Sequence, residues 1–338
     1  MPKGLILYIT IITLCACNDK QGSITGTSND FRIEILEKGV ETILSKKAEI
    51  KTIAGGFNWS EGTLWLRDQQ ALLFSDVPEN KIYRWSEKDG LTVWLEPSGF
   101  TGPDSLDREG ANGLMLDNVG SLILCQHGDR RVARMDTTLN LPAPIFSTVA
   151  DRWRGKKLNS PNDAAIFNDN IYFTDPPYGL PGEDENADKE IGFSGVFRIT
   201  SKGLVILVED KLTRPNGIAF NPQTNSMYVS NSDPKDAKWM KYQMVAGNIH
   251  EGKVLYDATD QVTLYNGLPD GLKVHPSGYV FATGPGGIWV FSPTDELSAR
   301  IYIPQATANC AFDDTFSHLY VAADSTVIRI ELIPPAEK

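Results

Sequence analysis

Cysteine is scarce in this chain, with 4 in 338 residues, two of them in the first 17. Cys125 and Cys310 are the only others, and neither has His or Cys neighbours at zinc spacing. That excludes a cysteine-built zinc scaffold. Both lie in apolar, strand-like runs, where buried free thiols are expected. Positive charge is also in deficit: 32 Lys+Arg stand against 43 Asp+Glu, a formal net charge of -11. No Lys/Arg-rich run reverses this locally, so nucleic acid is not an expected partner. Beyond the N-terminus no apolar run approaches the ~18 residues of a membrane-spanning helix. A Gly-x-Ser-x-Gly elbow, a phosphate loop and a dinucleotide fingerprint are all missing, which removes support for serine-hydrolase and nucleotide chemistry. Amphipathic helices of ordinary length are absent between the strand-like segments.

The N-terminus reads as a targeting segment. Lys3 supplies the positive start, Gly4 to Leu14 are almost entirely apolar, and Leu14-Cys15-Ala16-Cys17 is followed by polar Asn18-Asp19-Lys20-Gln21. Such a segment describes a secretory signal. Its Leu-x-Ala-Cys ending resembles the bacterial lipoprotein signal, in which the cysteine is lipidated. The expected organisation is a signal peptide over 1–16, a lipidated Cys17 with a tether over 17–47, and one folded domain over 48–334. The expected location is the bacterial cell envelope, on the periplasmic side or at the outer membrane. The lipid anchor is the only membrane contact.

What is present is a repeat. Six copies open on an oxygen-bearing residue: Glu61, Asn112, Asn162, Asn216, Asp270 and Asn309. In four of them glycine follows. Each copy continues into two or more short runs rich in Val, Ile, Tyr, Phe and Trp, such as Leu72-Leu73-Phe74 and Ile171-Tyr172-Phe173. The spacing is about 50 residues, shortening at the last copy, which is a propeller period. An all-β, six-bladed β-propeller is predicted. Too little chain follows the sixth copy for a fourth strand. The alternating segment Ala48 to Ala54 is expected to supply it and close the ring without an unpaired edge.

Equivalent points on the innermost strands of a propeller meet at its axis. Six carboxylates and carboxamides therefore ring one channel mouth. Asn, Asp and Gly are also common turn residues, but six in register point to ligation. Oxygen donors without His or Cys suit a hard cation: calcium first, with magnesium, manganese or zinc as alternatives. Glu61, Asn162, Asn216 and Asp270 are the predicted metal ligands.

At these residues the chain resembles the gluconolactonase and senescence-marker-protein (regucalcin) family of six-bladed propellers, over about residues 50 to 332. Leu158-Asn159-Ser160-Pro161-Asn162-Asp163, Arg214-Pro215-Asn216-Gly217 and Leu268-Pro269-Asp270-Gly271 carry the likeness. Cys125-Gln126-His127-Gly128 and Thr174-Asp175-Pro176-Pro177-Tyr178-Gly179 resemble its bacterial gluconolactonase branch. The resemblance implies that Glu61, Asn216 and Asp270 bind the metal, with Asn162 beside it, and that Asp270 transfers protons. Some animal members carry arginine where this chain has Ser160, so their sugar preference does not carry over.

The implied activity is metal-dependent hydrolysis of a small-molecule sugar lactone, such as a gluconolactone, to the aldonic acid. A hydrolase of another cyclic ester or a phosphotriester, or a non-catalytic sugar-binding propeller, are the alternatives. Asp270 and His127 are the predicted catalytic groups. Asn112, Asn162, Asp163 and Tyr178 are the predicted substrate contacts. The acidic stretch from Pro181 to Glu190 is expected to form a mobile insertion or a lid, and Gly284-Pro285-Gly286-Gly287 either opens room for substrate or makes a tight turn.

Overall fold

The computed structural model describes residues 31–103 and 108–335. The predicted signal peptide and Cys17 lie outside them. Six four-stranded antiparallel units follow one another along the chain. Blade 1 comprises β3 (Ser60–Leu66), β4 (Ala71–Asp76), β5 (Lys81–Ser86) and β6 (Gly90–Leu95). Blade 2 comprises β7 (Ala111–Leu116), β8 (Leu122–Gln126), β9 (Arg131–Met135) and β10 (Phe146–Ala150). A small hairpin, β11 (Arg152–Trp153) with β12 (Lys156–Lys157), leads to blade 3. That blade holds β13 (Ala164–Phe167), β14 (Asn170–Asp175), β15 (Gly195–Ile199) and β16 (Val205–Glu209). Blade 4 runs β17 (Pro215–Asn221), β18 (Ser226–Asn231), β19 (Lys238–Val245) and β20 (Asn248–Asp257). Blade 5 runs β21 (Leu272–Val274), β22 (Val280–Gly284), β23 (Gly287–Phe291) and β24 (Leu297–Tyr302).

Blade 6 takes β25 (Thr307–Phe312), β26 (His318–Ala323) and β27 (Thr326–Glu331) from the end of the chain and β2 (Ile50–Gly55) from its beginning. β2 pairs antiparallel with β27, Ile50 opposite Ile330, so the segment read as the missing outer strand does close the ring.

The strands form where they do because each is sandwiched. β4, β8, β22 and β23 are buried along their whole length, and accordingly carry near-continuous apolar runs. The outer β6 and β20 keep exposed positions. The core is divided between the blades. Leu73 and Ile82 of blade 1 pack on Leu122 and Leu124 of blade 2. Phe173 and Phe197 of blade 3 meet Ile123 and Cys125. Trp239 of blade 4 meets Trp289 of blade 5, ring centroids 5.3 Å apart. Phe74 of blade 1 and Tyr320 of blade 6 share the closing cluster. Each fully buried side chain of this size contributes on the order of 1.5–3 kcal/mol, so the blade interfaces carry most of the stability. Cys125 and Cys310 are buried and free.

The tether expected over 17–47 ends sooner. β1 (Arg32–Ile35) adds a fifth strand to blade 5, pairing with β24. A 3-10 turn over Lys38–Thr42 follows. Val40, Ile43 and Leu44 are buried against blades 5 and 6. Four apolar side chains, Ile33 included, are enough to dock a short segment that has no repeat register to announce it.

Near the axis the inner strands come close together. A Cβ on Gly217 would stand 2.3 Å from the Asp270 carbonyl oxygen, and one on Gly62 would stand 2.0 Å from that of Asn112. Both contacts are with rigid backbone of the next blade. This is why glycine follows the opening residue of a copy: it admits the next blade. Gly217→Ala should therefore lower the melting temperature by roughly 5 °C or more. Gly192→Ala, where a Cβ meets nothing within 4 Å, should leave it unchanged. Equal melting temperatures for the two variants would remove the close-approach argument.

Candidate active site

The inner strands do not begin regularly. In blades 1, 2 and 4 the pairing register slips between Glu61 and Leu64, Ala111 and Leu114, and Pro215 and Ile218. Each is a β-bulge at the opening of the copy. Bulges re-aim side chains, and here they turn the opening residue toward the axis. In blades 3 and 5, Asn162 and Asp270 stand just ahead of β13 and β21.

Hydroxyls from the second strands fix these openings from the neighbouring blade. Ser75 Oγ donates to the Asn112 carbonyl at 2.9 Å, Thr174 Oγ1 to that of Asn216 at 2.7 Å and Ser230 Oγ to that of Asp270 at 2.5 Å. Gly113 N–H donates to the Asn162 carbonyl at 2.8 Å.

A cavity of about 610 Å³ opens above them. Glu61, Asn112, Asn162, Asn216 and Asp270 line it, as do His127 and Tyr178. Trp59, Val77, Pro78, Leu268 and Tyr265 supply apolar wall, and Glu109, Glu183 and Ser232 add polar groups. Among the described residues no Lys or Arg lines it. Asn309, the sixth opening residue, does not reach the wall. Its carboxamide oxygen accepts from Thr63 Oγ1 at 3.3 Å and from the Cys310 N–H at 2.9 Å, and its side chain also hydrogen-bonds Glu61.

Asp163, expected to touch substrate, stands behind the wall. Its Oδ1 accepts the Ala164 N–H at 2.9 Å and its Oδ2 the Ile218 N–H at 3.4 Å. The carboxylate faces backbone rather than cavity, so its influence on the site is electrostatic. Burial first, then the charge of Asp163, push the Glu61 carboxyl up to about 7. Burial, then Glu61, then Asp163, hold Asp270 well above the usual carboxylate range. Two acids thus share a dry end of the channel and resist ionising together.

The donor atoms are free. Asn112 Oδ1, Asn162 Oδ1 and Asp270 Oδ1 are buried without a hydrogen-bond partner among the described residues. An orphaned buried oxygen costs about 1–3 kcal/mol, and three converging on one cavity mark a place for a ligand. Asn216 Nδ2 donates to Ser232 Oγ at 3.0 Å, which leaves its carboxamide oxygen unbound by that contact. Among the described residues no three His, Cys, Asp or Glu side chains gather as a metal cluster. The set that fits a cation is mixed: the carboxylates of Glu61 and Asp270 with the carboxamides of Asn162 and Asn216. All-oxygen donors of this kind suit calcium and give zinc no nitrogen or sulfur.

Tyr178 packs beneath the Arg214 guanidinium, 5.6 Å from the ring centre, and hydrogen-bonds Ser232. Burial and then the Asp270 charge raise its hydroxyl above the ordinary phenol range, so it acts as a neutral donor. The acidic stretch after it is not a loose lid. Arg214 pairs with Glu183 at 2.5 Å and Asp184 at 2.8 Å, and Lys189 with Asp184 at 3.5 Å. Gly284 to Gly287 form a tight hairpin end rather than added room, and a Cβ on Gly284 would meet the Trp239 ring at 2.5 Å.

Glu109 is one of the lining residues that the sequence reading missed. It lies ahead of β7, outside the repeat positions. Its Oε2 is 2.9 Å from His127 Nδ1.

Comparison with known proteins places the fold in a family. The family model described as SMP-30/Gluconolactonase/LRE-like region matches residues 59–325. A gluconolactonase of Zymomonas mobilis is 33% identical over 333 residues, spanning 95% of this chain and 90% of the relative. Among solved structures, a gluconolactonase of Xanthomonas campestris superimposes with a TM-score of 0.77 at 28% identity, over 89% of this chain and 95% of that one. A calcium-binding regucalcin of Agrobacterium tumefaciens shares the fold, with a TM-score of 0.63 at 17% identity, over 84% of this chain and 96% of that one. The chain belongs to the SMP-30/gluconolactonase/LRE-like family, and is a lactone hydrolase of the gluconolactonase type.

Proposed function

We propose that the protein hydrolyses a neutral sugar lactone to its aldonic acid with the help of a calcium ion held by Glu61, Asn162, Asn216 and Asp270. The observation that carries this is the pairing of crowded carboxylates with orphaned oxygens at one end of the cavity. A divalent cation removes both costs at once. When bound, it would polarise the lactone carbonyl and acidify a nearby water.

The chain's own groups supply the rest. Asn112 and Tyr178 offer hydrogen bonds to sugar hydroxyls. Trp59, Val77 and Leu268 exclude water from one side of the ring. Asp270 or His127 holds a proton during the reaction, and a cation beside Asp270 would weaken it as a base. The lining acids Glu61, Glu109, Glu183 and Asp270 disfavour a phosphorylated substrate, which would meet like charge throughout.

Chelator should abolish hydrolysis of gluconolactone and added calcium restore it. Asp270→Asn should lower kcat by about 10²–10⁴-fold. A phosphorylated lactone should be at least roughly tenfold poorer in kcat/KM. Full activity in chelator together with full activity of Asp270→Asn would sink the metal reading.

The same carboxylates make the chelated protein sensitive to pH. A carboxyl whose folded pKa is raised binds its proton more tightly folded than unfolded. Stability is therefore lost as pH rises from 4.5, the ordinary value of a glutamate, toward the folded value of about 7 for Glu61. Melting temperatures in chelator should fall between about pH 5 and about pH 8. Calcium, or Glu61→Gln, should flatten that slope. A slope that survives both would show that Glu61 is not its origin.

We also propose that Cys17 carries a lipid that holds the protein in the bacterial cell envelope. The support is the charged start, the apolar Gly4 to Leu14 and the Leu14-Cys15-Ala16-Cys17 ending. Cys17→Ala should release the protein from the membrane fraction and abolish labelling by a fatty acid. Recovery of the wild type in the soluble cytoplasmic fraction would contradict this.

A further inference from the structure

His127 and Glu109 form a pair whose contact the calcium-dependent reading leaves unexplained. His127 follows β8 and Glu109 precedes β7, so the two meet where the inner hairpin of blade 2 opens onto the cavity. The segments are joined through backbone: His127 N–H donates to the Gly110 carbonyl and Gly128 N–H to that of Glu109, both at 3.1 Å. Gly110 N–H is anchored to the Val77 carbonyl of blade 1 at 2.7 Å. The imidazole is also wedged from the far side. A Cβ on Gly179 would stand 2.5 Å from the His127 Cβ and 2.9 Å from its Cγ, so blade 3 backbone lies against the ring.

The side chain of His127 is 2% exposed and that of Glu109 40%. The ring is thus fixed in a dry wall, and its partner reaches it from the wetter rim. Glu109 Oε2 lies 2.9 Å from Nδ1. An ionised carboxylate only accepts, so Nδ1 carries the hydrogen. In the neutral ring that leaves Nε2 as a bare lone pair. Nε2 is buried and finds no partner among the described residues, although the residue lines the same cavity as Asp270 and Asn162. A buried lone pair without a structural partner, on a residue that lines the reaction cavity, is a candidate proton acceptor.

We propose that Glu109 is a positioning residue that fixes His127 in the Nδ1–H tautomer, and that His127 Nε2 is the general base of lactone hydrolysis. The assignment rests on the lactonase reading above. In the first step an O–H bond of water breaks, its proton goes to Nε2, and the oxygen bonds to the lactone carbonyl carbon. In the second step the tetrahedral adduct collapses. The bond from carbonyl carbon to ring oxygen breaks, and that oxygen takes the proton back from Nε2. One water is consumed, one hydroxy acid is formed, and the imidazole returns to its starting form. Asp270 is then relieved of a task for which a metal ligand is poorly suited.

The test is nitrogen-15 spectroscopy of the histidine rings, read beside kinetics. The full-length protein has 4 histidines, and the signals of His127 are identified by their loss in His127→Gln. In chelated wild type, His127 should appear as the Nδ1–H tautomer. In Glu109→Ala it should appear as a mixture of tautomers. That variant should lose about 10²–10³-fold in kcat with KM changed less than about twofold, and its calcium affinity should match wild type. A proton on Nε2 in wild type overturns the proposal. So does a Glu109→Ala variant with unaltered tautomer and kcat. Failure of wild type to hydrolyse any lactone would overturn the catalytic step together with the reading beneath it. The tautomer spectrum, which needs neither metal nor turnover, still decides separately whether Glu109 sets the ring.

Discussion

The site exists because the inner strands touch. Blades 1 to 4 each offer a glycine or a hydroxyl to the carbonyl of the next blade's opening residue: Ser75 to Asn112, Gly113 to Asn162, Thr174 to Asn216, Ser230 to Asp270. These contacts need the backbones of neighbouring blades within hydrogen-bond reach. Once that is imposed, the first side chain of each inner strand has only the axis to point at. The bulges at Glu61, Asn112 and Asn216 add the last rotation. Ring closure, strand register and ligand geometry are consequences of one close approach repeated around the axis.

That approach has an electrostatic cost. Burial and the charge of Asp163 raise the proton affinity of Glu61 and Asp270, and Glu61 adds to it at Asp270. Buried carboxylates are normally paired with a basic side chain, yet among the described residues no Lys or Arg lines the cavity. Asp163 accepts from two backbone N–H groups instead, behind the wall. The other two are left facing the cavity. An acidic surface elsewhere on the molecule gives solubility, whereas these two acids are held under tension that only a proton or a cation relieves.

The fold was legible because its unit repeats. Six oxygen-bearing openings at one phase imply a ring, and a missing last strand implies β2. What escaped lacked that support. β1 and the turn at Lys38–Thr42 belong to no repeat, and four apolar side chains in a polar context give little periodic signal. Phase alone also says nothing of which way a side chain turns behind its strand. Asp163 and Asn309 occupy expected positions but bond backward, to backbone N–H groups and to Thr63. Glu109 escaped for the opposite reason. It stands outside the repeat, and only the fold brings it to His127. The Pro181 to Glu190 stretch reads as mobile from its charges until Arg214, distant in sequence, is seen to hold Glu183 and Asp184.

Blade 6 joins β2, near the start of the chain, to β27, near its end. A growing polypeptide can complete blades 1 to 5 in order, each resting on its predecessor. The last interface has to wait until Glu331 has been made. Until then the blade 1 side of the closing cluster lacks Tyr320 and Val327 to bury against, and β2 is an unpaired edge. Assembly is therefore a race between ring closure and wrong pairing of that edge, and its rate is set by the most distant contact in the sequence.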